Sequence, residues 1–184
     1  MTENYDRAAI ALHWITALLI IANLLLGLSM VQLPISPRKL HWYLWHKSIG
    51  MTIFAVTSLR LAWRALRPHP APVAMRPWQR RAASVSHAML YALLLVIPLS
   101  GWLYSSATGV QVVYVGVLPL PDLLPKDRAL ADALRIVHIG LNALLAGVIT
   151  VHVAAALKHH FVDRDVVLAR MLPIFKRNPA LRSR

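Results

Sequence analysis

Residues 130–158, LADALRIVHIGLNALLAGVITVHVAAALK, limit what this chain can become more than any other stretch. The run is long, apolar and free of proline, and it carries His138 and His152. A spacing of fourteen residues falls only about 40° short of four helical turns, so both imidazoles leave the helix from nearly one face. At 1.5 Å per residue they stand roughly 21 Å apart along the axis. An apolar span with a nitrogen ligand toward either end, on one stripe, suits two cofactors stacked across a membrane.

A length of 184 residues fits one domain. The composition is 58% apolar and 15% charged, against about 25% charged for an ordinary globular chain. Lipid is therefore the expected solvent. The formal charge of +13 does not point to nucleic acid. Lys and Arg cluster between and after the apolar runs, and no RNA-binding or helix-turn-helix pattern uses them. The chain has no cysteine, which excludes disulfides, iron–sulfur clusters, thiolate catalysis and covalent C-x-x-C-H haem attachment.

Residues 1–7 (MTENYDR) lack the basic start of a signal peptide, so the apolar run after them is expected to be retained. Four spans are predicted, at about 8–30, 44–66, 84–106 and 130–158, each long enough to cross ~30 Å of hydrocarbon. Pro34 and Pro37 break helix in 31–43. A proline-rich basic loop fills 67–81, and Pro98 with Gly101 signals a kink in the third span. Residues 107–128 form the longest outer connection. The tail over 162–175 reads as an interfacial helix on the membrane surface, or as an amphipathic helix packed on the bundle. Fourteen of the basic residues lie at the N-terminus, in 60–81 and in the tail; the other six are Arg38, Lys39, Lys47, Lys126, Arg128 and Arg135. The positive-inside bias then puts both termini in the cytoplasm. The predicted fold is an all-α integral membrane protein, a four-helix up-down-up-down bundle in a single domain.

Depth sorts the histidines. His13, His87 and His152 lie toward the inner side, and His46 and His138 toward the outer. Ionisable residues inside a membrane are costly and mark function by default; a satisfied core residue is the lesser reading for each histidine taken singly. All seven acids lie outside the apolar core, which counts against metal transport through carboxylates and against an acid-based proton relay. Bis-imidazole ligation of a non-covalent haem b fits a neutral ligand set in an apolar bundle with arginines for the propionates. Gly50, Gly140 and Gly147 leave room for a ring beside the ligands, or else serve close helix packing. Two adjacent helical residues such as His159 and His160 point about 100° apart and would not chelate one ion. These two, with His41 and His69, are expected at the surface.

The motifs Leu12-His13-Trp14, His46-x3-Gly50, Arg60-Leu61-x2-Arg64 before Pro68-x-Pro70, His87-x3-Tyr91 with Pro98-x2-Gly101, and His138-x13-His152 ahead of His159-His160 run from end to end of the chain. In that order they resemble the bacterial di-haem cytochrome b561 family, and closely its superoxide oxidase branch. The resemblance implies two haem b groups, the outer one between His46 and His138 and the inner one between His152 and His13. His87, at the inner depth, is the rival ligand or a propionate contact. The branch implies that superoxide is oxidised at the periplasmic face of the bacterial inner membrane and that electrons pass to ubiquinone. Lys47, Arg135 and Arg60 are candidates for propionate pairing or anion steering; snorkelling to headgroups is the duller role for Lys47 and Arg135. Trp42 and Trp45, with Trp102 and Tyr104, are candidate quinone-side aromatics, against an ordinary interfacial belt. The competing function is an electron-relay or anchor subunit for a partner dehydrogenase or hydrogenase. Short outer connections favour an autonomous unit, monomer included. A transporter or structural bundle without haem is the third reading.

Overall fold

A computed structural model describes residues 5–67 and 75–172. Four helices dominate it: α1 Arg7–Met30, α2 Pro37–Leu66, α3 Pro77–Thr108 and α4 Arg128–Phe161. All four are long and apolar enough to cross a membrane. Each start has a chemical reason. The Asp6 carboxylate accepts from Ala9 N at 2.7 Å and Asp127 from Leu130 N at 3.0 Å, occupying donors that a helix N-terminus leaves free. Ser36 Oγ accepts from Lys39 N at 3.3 Å, and Pro37 and Pro77 stand at the first helical positions, where a missing N–H costs nothing.

Those prolines shift two boundaries. Pro37 opens α2 instead of breaking it, so the helix begins seven residues before the expected 44, and Pro77 likewise starts α3 ahead of 84. Pro98 lies inside α3, which continues to Thr108 and ends on Gly109 at φ 75°. The centre of the 67–81 loop, with His69, falls outside the described residues.

The outer connection contains a hairpin that was not expected. β1 (Val113–Tyr114) pairs antiparallel with β2 (Leu118–Pro119). Three residues link the paired Tyr114 and Leu118. Val117 N donates to Tyr114 O, and the central Val115 (φ 47°) and Gly116 (φ 75°) of that turn both lie in the left-handed region, as a type I′ turn requires. A β-branched residue there is strained. Anchors on α2 hold it: Ser48 Oγ accepts from Val115 N at 2.9 Å, and Thr52 and Tyr114 share a hydroxyl contact of 3.1 Å. Trp102 Nε1 donates to Pro121 O, and Leu123 N donates to Ser106 Oγ. The connection is thus fastened to both α2 and α3.

The tail differs as well. Residues 162–172 form turns and one 3-10 turn, Leu168–Arg170, instead of a continuous helix; 173–175 lie outside the described residues. The cause is local. Lys158 Nζ donates to Asp163 at 2.6 Å, His159 Nδ1 lies 2.6 Å from Asp165, and Arg164 at φ 54° turns the chain between them. The Lys158 ammonium holds the Asp163 carboxyl below its ordinary range. Trp14 Nε1 donates to Met171 O at 2.8 Å and ties the tail to α1.

Consecutive helices pack as neighbours, α1 on α2, α2 on α3 and α3 on α4. The shared core is small: Ile20, Ile53, Leu93, Leu94, Ile97 and Leu145. Between 6% and 17% of each apolar helix window is buried, so most apolar side chains face outward, as lipid permits. Close packing does not join α1 to α4; they approach through histidine rings.

Candidate metal centres

His46 on α2 and His138 on α4 have ring centres 6.3 Å apart and planes 85° apart. They line a cavity of about 490 Å³ together with Asn23, Lys47, Gly50 and Asn142. Ser100 fixes the state of His138. Its hydroxyl donates to Ile97 O at 2.7 Å, so it can only accept from His138 Nδ1, 2.9 Å away. The His138 proton then sits on Nδ1 and leaves Nε2 with a free lone pair, the tautomer a metal ligand needs. His46 Nδ1 is buried and has no hydrogen-bond partner among the described residues. Lys47 Nζ donates to Val110 O at 3.3 Å and so joins α2 to the outer connection; Ser105 Oγ donates to the same carbonyl.

Toward the other end, α1, α3 and α4 bring His13, His87 and His152 together. The His13–His152 ring centres are 6.4 Å apart with planes at 54°, and the His87–His152 centres are 5.5 Å apart. Two cations on α2 reach this group, Arg60 beside His13 and Arg64 one turn further on, within electrostatic reach of His87. Arg60 Nη2 lies 3.2 Å from His13 Nδ1, and the Arg60 guanidinium carbon sits 5.5 Å from the Tyr91 ring centre.

The spacing can be compared with a ligand pair. With a metal–imidazole nitrogen bond of about 2.0–2.1 Å and ring centres roughly 1.1 Å further back, two imidazoles trans on one metal have centres about 6.2–6.4 Å apart. His46–His138 and His13–His152 match that distance. His87–His152 is tighter.

Other candidates separate. Arg60 joins the inner group and Lys47 the outer cavity, while Arg135 is exposed on α4. Trp45 donates to His41 Nε2 at 2.8 Å, and Trp42 lies under Arg38; neither lines the cavity, whereas Tyr43, Trp102 and Tyr104 do. Gly50 lines the cavity as expected, but Gly140 and Gly147 do not crowd a ring. They lie about 200° and 180° around the helix from His138, and a Cβ on either would meet nothing within 4 Å. The glycines that do seat imidazoles are Gly27 and Gly101, where a Cβ would come within 3.0 Å of His46 Cε1 and His138 Cε1. Gly101 is visible in the sequence only as part of a kink signal, and no local pattern pairs Gly27 with His46. His159, expected at the surface, is half-buried against Asp163 and Asp165.

The sequence family described as prokaryotic cytochrome b561 matches residues 4–173. The chain is 35% identical over 175 residues to "Cytochrome b561 homolog 2" of Escherichia coli (strain K12), covering 92% of each. It is 29% identical over 178 residues to "Probable superoxide oxidase CybB" of Yersinia pestis, covering 94% of this chain and 98% of the relative. "Cytochrome b561 homolog 1" of Escherichia coli (strain K12) is 28% identical over 176 residues, covering 93% and 98%. Four apolar helices, imidazole pairs spaced for a metal and a match across nearly the whole length agree: this chain belongs to the prokaryotic cytochrome b561 family, membrane cytochromes for which haem b is the implied cofactor.

Proposed function

We propose that the chain is a di-haem b cytochrome of the bacterial inner membrane that takes electrons from superoxide at the periplasmic face and delivers them to ubiquinone. The observation that carries the two-haem reading is a pair of imidazole couples with ring centres 6.3 and 6.4 Å apart. His46 and His138 would hold the outer haem, and His13 and His152 the inner. Bound haem supplies one-electron redox chemistry. The rest falls to the protein. Ser100 keeps His138 in the ligating tautomer, the bundle excludes water, and both termini lie in the cytoplasm by charge bias. Two superoxide anions each lose an electron and leave as dioxygen; one quinone gains both electrons and two protons to leave as quinol.

Lys47 supports superoxide as donor, because it brings an ammonium to the outer cavity. With Arg135 and the other outer cations it favours entry of a small anion. Arg60 has a separate task. An arginine only donates hydrogen bonds, so its contact to His13 Nδ1 and metal ligation at His13 Nε2 exclude each other while the imidazole stays neutral. With the inner site loaded, Arg60 would turn to another acceptor, which a haem propionate could supply. The same contact is the observation that favours His87 as the alternative inner ligand; the 5.5 Å ring spacing favours His13.

Anaerobic purification, a visible spectrum and reduction by superoxide with and without a quinone test the proposal. The expected result is a Soret band with two haems per chain and quinone-dependent turnover. A colourless protein would remove the haem reading. The electron-relay alternative draws on the higher 35% identity to a relative whose name carries no superoxide activity. Haem reduction by a co-purifying dehydrogenase or hydrogenase, and none by superoxide, would establish it.

A further inference from the structure

The outer imidazoles are each pressed from behind by a helix that carries neither of them. Gly27 belongs to α1 and Gly101 to α3. A Cβ at Gly27 would lie 3.0 Å from His46 Cε1 and 3.4 Å from its Nδ1; one at Gly101 would lie 3.0 Å from His138 Cε1 and 3.4 Å from its Nδ1. The same relation thus occurs twice, on two rings whose planes stand 85° apart. Carbon atoms prefer about 3.5–4.0 Å, so one added methyl at either position forces a neighbour to move. The softest movement is rotation of the imidazole, because histidine χ2 has a broad minimum.

We propose that Gly27 and Gly101 are positioning residues that hold the two outer imidazole planes near perpendicular and thereby set the electronic state of the iron between them. The inference rests on the haem reading above and goes beyond it. Each axial imidazole mixes its π orbital with the iron dπ orbital normal to its ring, one route by which axial ligation tunes a haem. Perpendicular rings act on different dπ orbitals and leave them close in energy, which gives ferric low-spin iron a strongly anisotropic EPR signal with a large gmax. Rings nearer parallel raise one orbital above the other and give a rhombic signal with smaller gmax. The His13–His152 planes, 54° apart, are less perpendicular than the outer pair at 85°, so the inner signal is expected at smaller gmax and the two are distinguishable in one sample.

The two glycines are not equivalent. Ser100 also fixes His138 through a hydroxyl at 2.9 Å from Nδ1, whereas His46 has the Asn23 main chain nearby but no well-formed hydrogen bond at Nδ1 among the described residues. Gly27 therefore carries more of the orientation of its ring than Gly101 does.

The test is low-temperature EPR of the oxidised full-length protein, with haem content measured on the same samples. The unmutated protein is expected to show one large-gmax and one smaller-gmax low-spin signal. Gly27→Ala should keep both haems, move the large-gmax signal to lower gmax and leave the other in place. Gly101→Ala should do the same by a smaller shift, and Gly101→Ala combined with Ser100→Ala by a larger one. Gly140→Ala and Gly147→Ala, with open space at Cβ, should change neither signal. Two haems with no large-gmax signal in the unmutated protein would overturn the proposal, as would Gly27→Ala with both haems and unmoved signals. If Gly27→Ala loses the outer haem, the Gly101 variants decide by the same criterion. A purified protein without haem fails the reading above, whereas haem-replete protein with insensitive signals fails this proposal alone.

Discussion

His13 and Arg60 show how one hydrogen bond separates two ligand assignments. Arg60 Nη2 faces His13 Nδ1 at 3.2 Å, so the proton that arginine cannot accept belongs on the other imidazole nitrogen. Loading a metal there requires Arg60 to leave. Arg60→Gln is therefore expected to weaken retention of one haem of two by roughly ten- to a hundredfold, the worth of one charge-assisted hydrogen bond of about 1.5–3 kcal/mol. Arg60→Lys should restore part of it, because it keeps the charge and loses the planar fork. Haem content after gel filtration measures both. The ligand choice has its own readout: His13→Ala should remove the inner haem and His87→Ala should retain it. The reverse outcome would transfer the ligand role to His87. Either residue was legible in the sequence as an inner-side histidine. Their unequal distances to His152 were not, because three helices have to meet before those distances exist.

Among the elements, the outer hairpin carries the clearest strain. Val115 sits at φ 47°, which for a residue with a Cβ costs roughly 1–2 kcal/mol. Ser48, Thr52 and the ladder bonds hold it there. Val115→Gly removes that strain and loses up to about 1 kcal/mol through the freer unfolded chain. Its stability should be unchanged or raised by up to about 1 kcal/mol. Ser48→Ala leaves the Val115 amide without its acceptor and should lower stability by about 1–3 kcal/mol. Thermal unfolding of the haem-loaded protein in detergent distinguishes the two. No sequence signal announced this hairpin, since Val115-Gly116 is a poor match to the Asn-Gly or Asp-Gly turns that usually mark one. The helices were better marked by their apolar runs. Their starts were misplaced because a proline reads locally as a breaker although it is well suited to the first turn.

Across the whole molecule, the decisive property is asymmetry of charge and ligands between the two ends. The outer cavity holds Lys47, and the acids nearest its rim lie on the outer connection and the start of α4. A superoxide-driven reaction should therefore slow as salt rises, because the screening length falls from about 10 Å at 0.1 M to about 3 Å at 1 M. Lys47→Glu should slow haem reduction by superoxide by roughly tenfold per haem retained, with haem content measured on the same samples because Lys47 lines the cavity; Arg135→Glu should slow it less, being exposed on α4. Stopped-flow reduction at two ionic strengths checks this. Rates indifferent to both salt and charge reversal would eliminate steering and leave the haem assignment intact.

The sequence by itself determined the apolar character, the helix count and the grouping of imidazoles toward two ends of the bundle. Hydrophobic length and the 3.6-residue period are local properties, and the fourteen-residue spacing of His138 and His152 lies within one helix. Only the tertiary structure decided which atoms meet between helices: Gly27 behind His46, Gly101 behind His138, Ser100 on His138 and Arg60 against His13. Those relations depend on the rotation and offset of separate helices, which packing sets and no window of neighbouring residues contains.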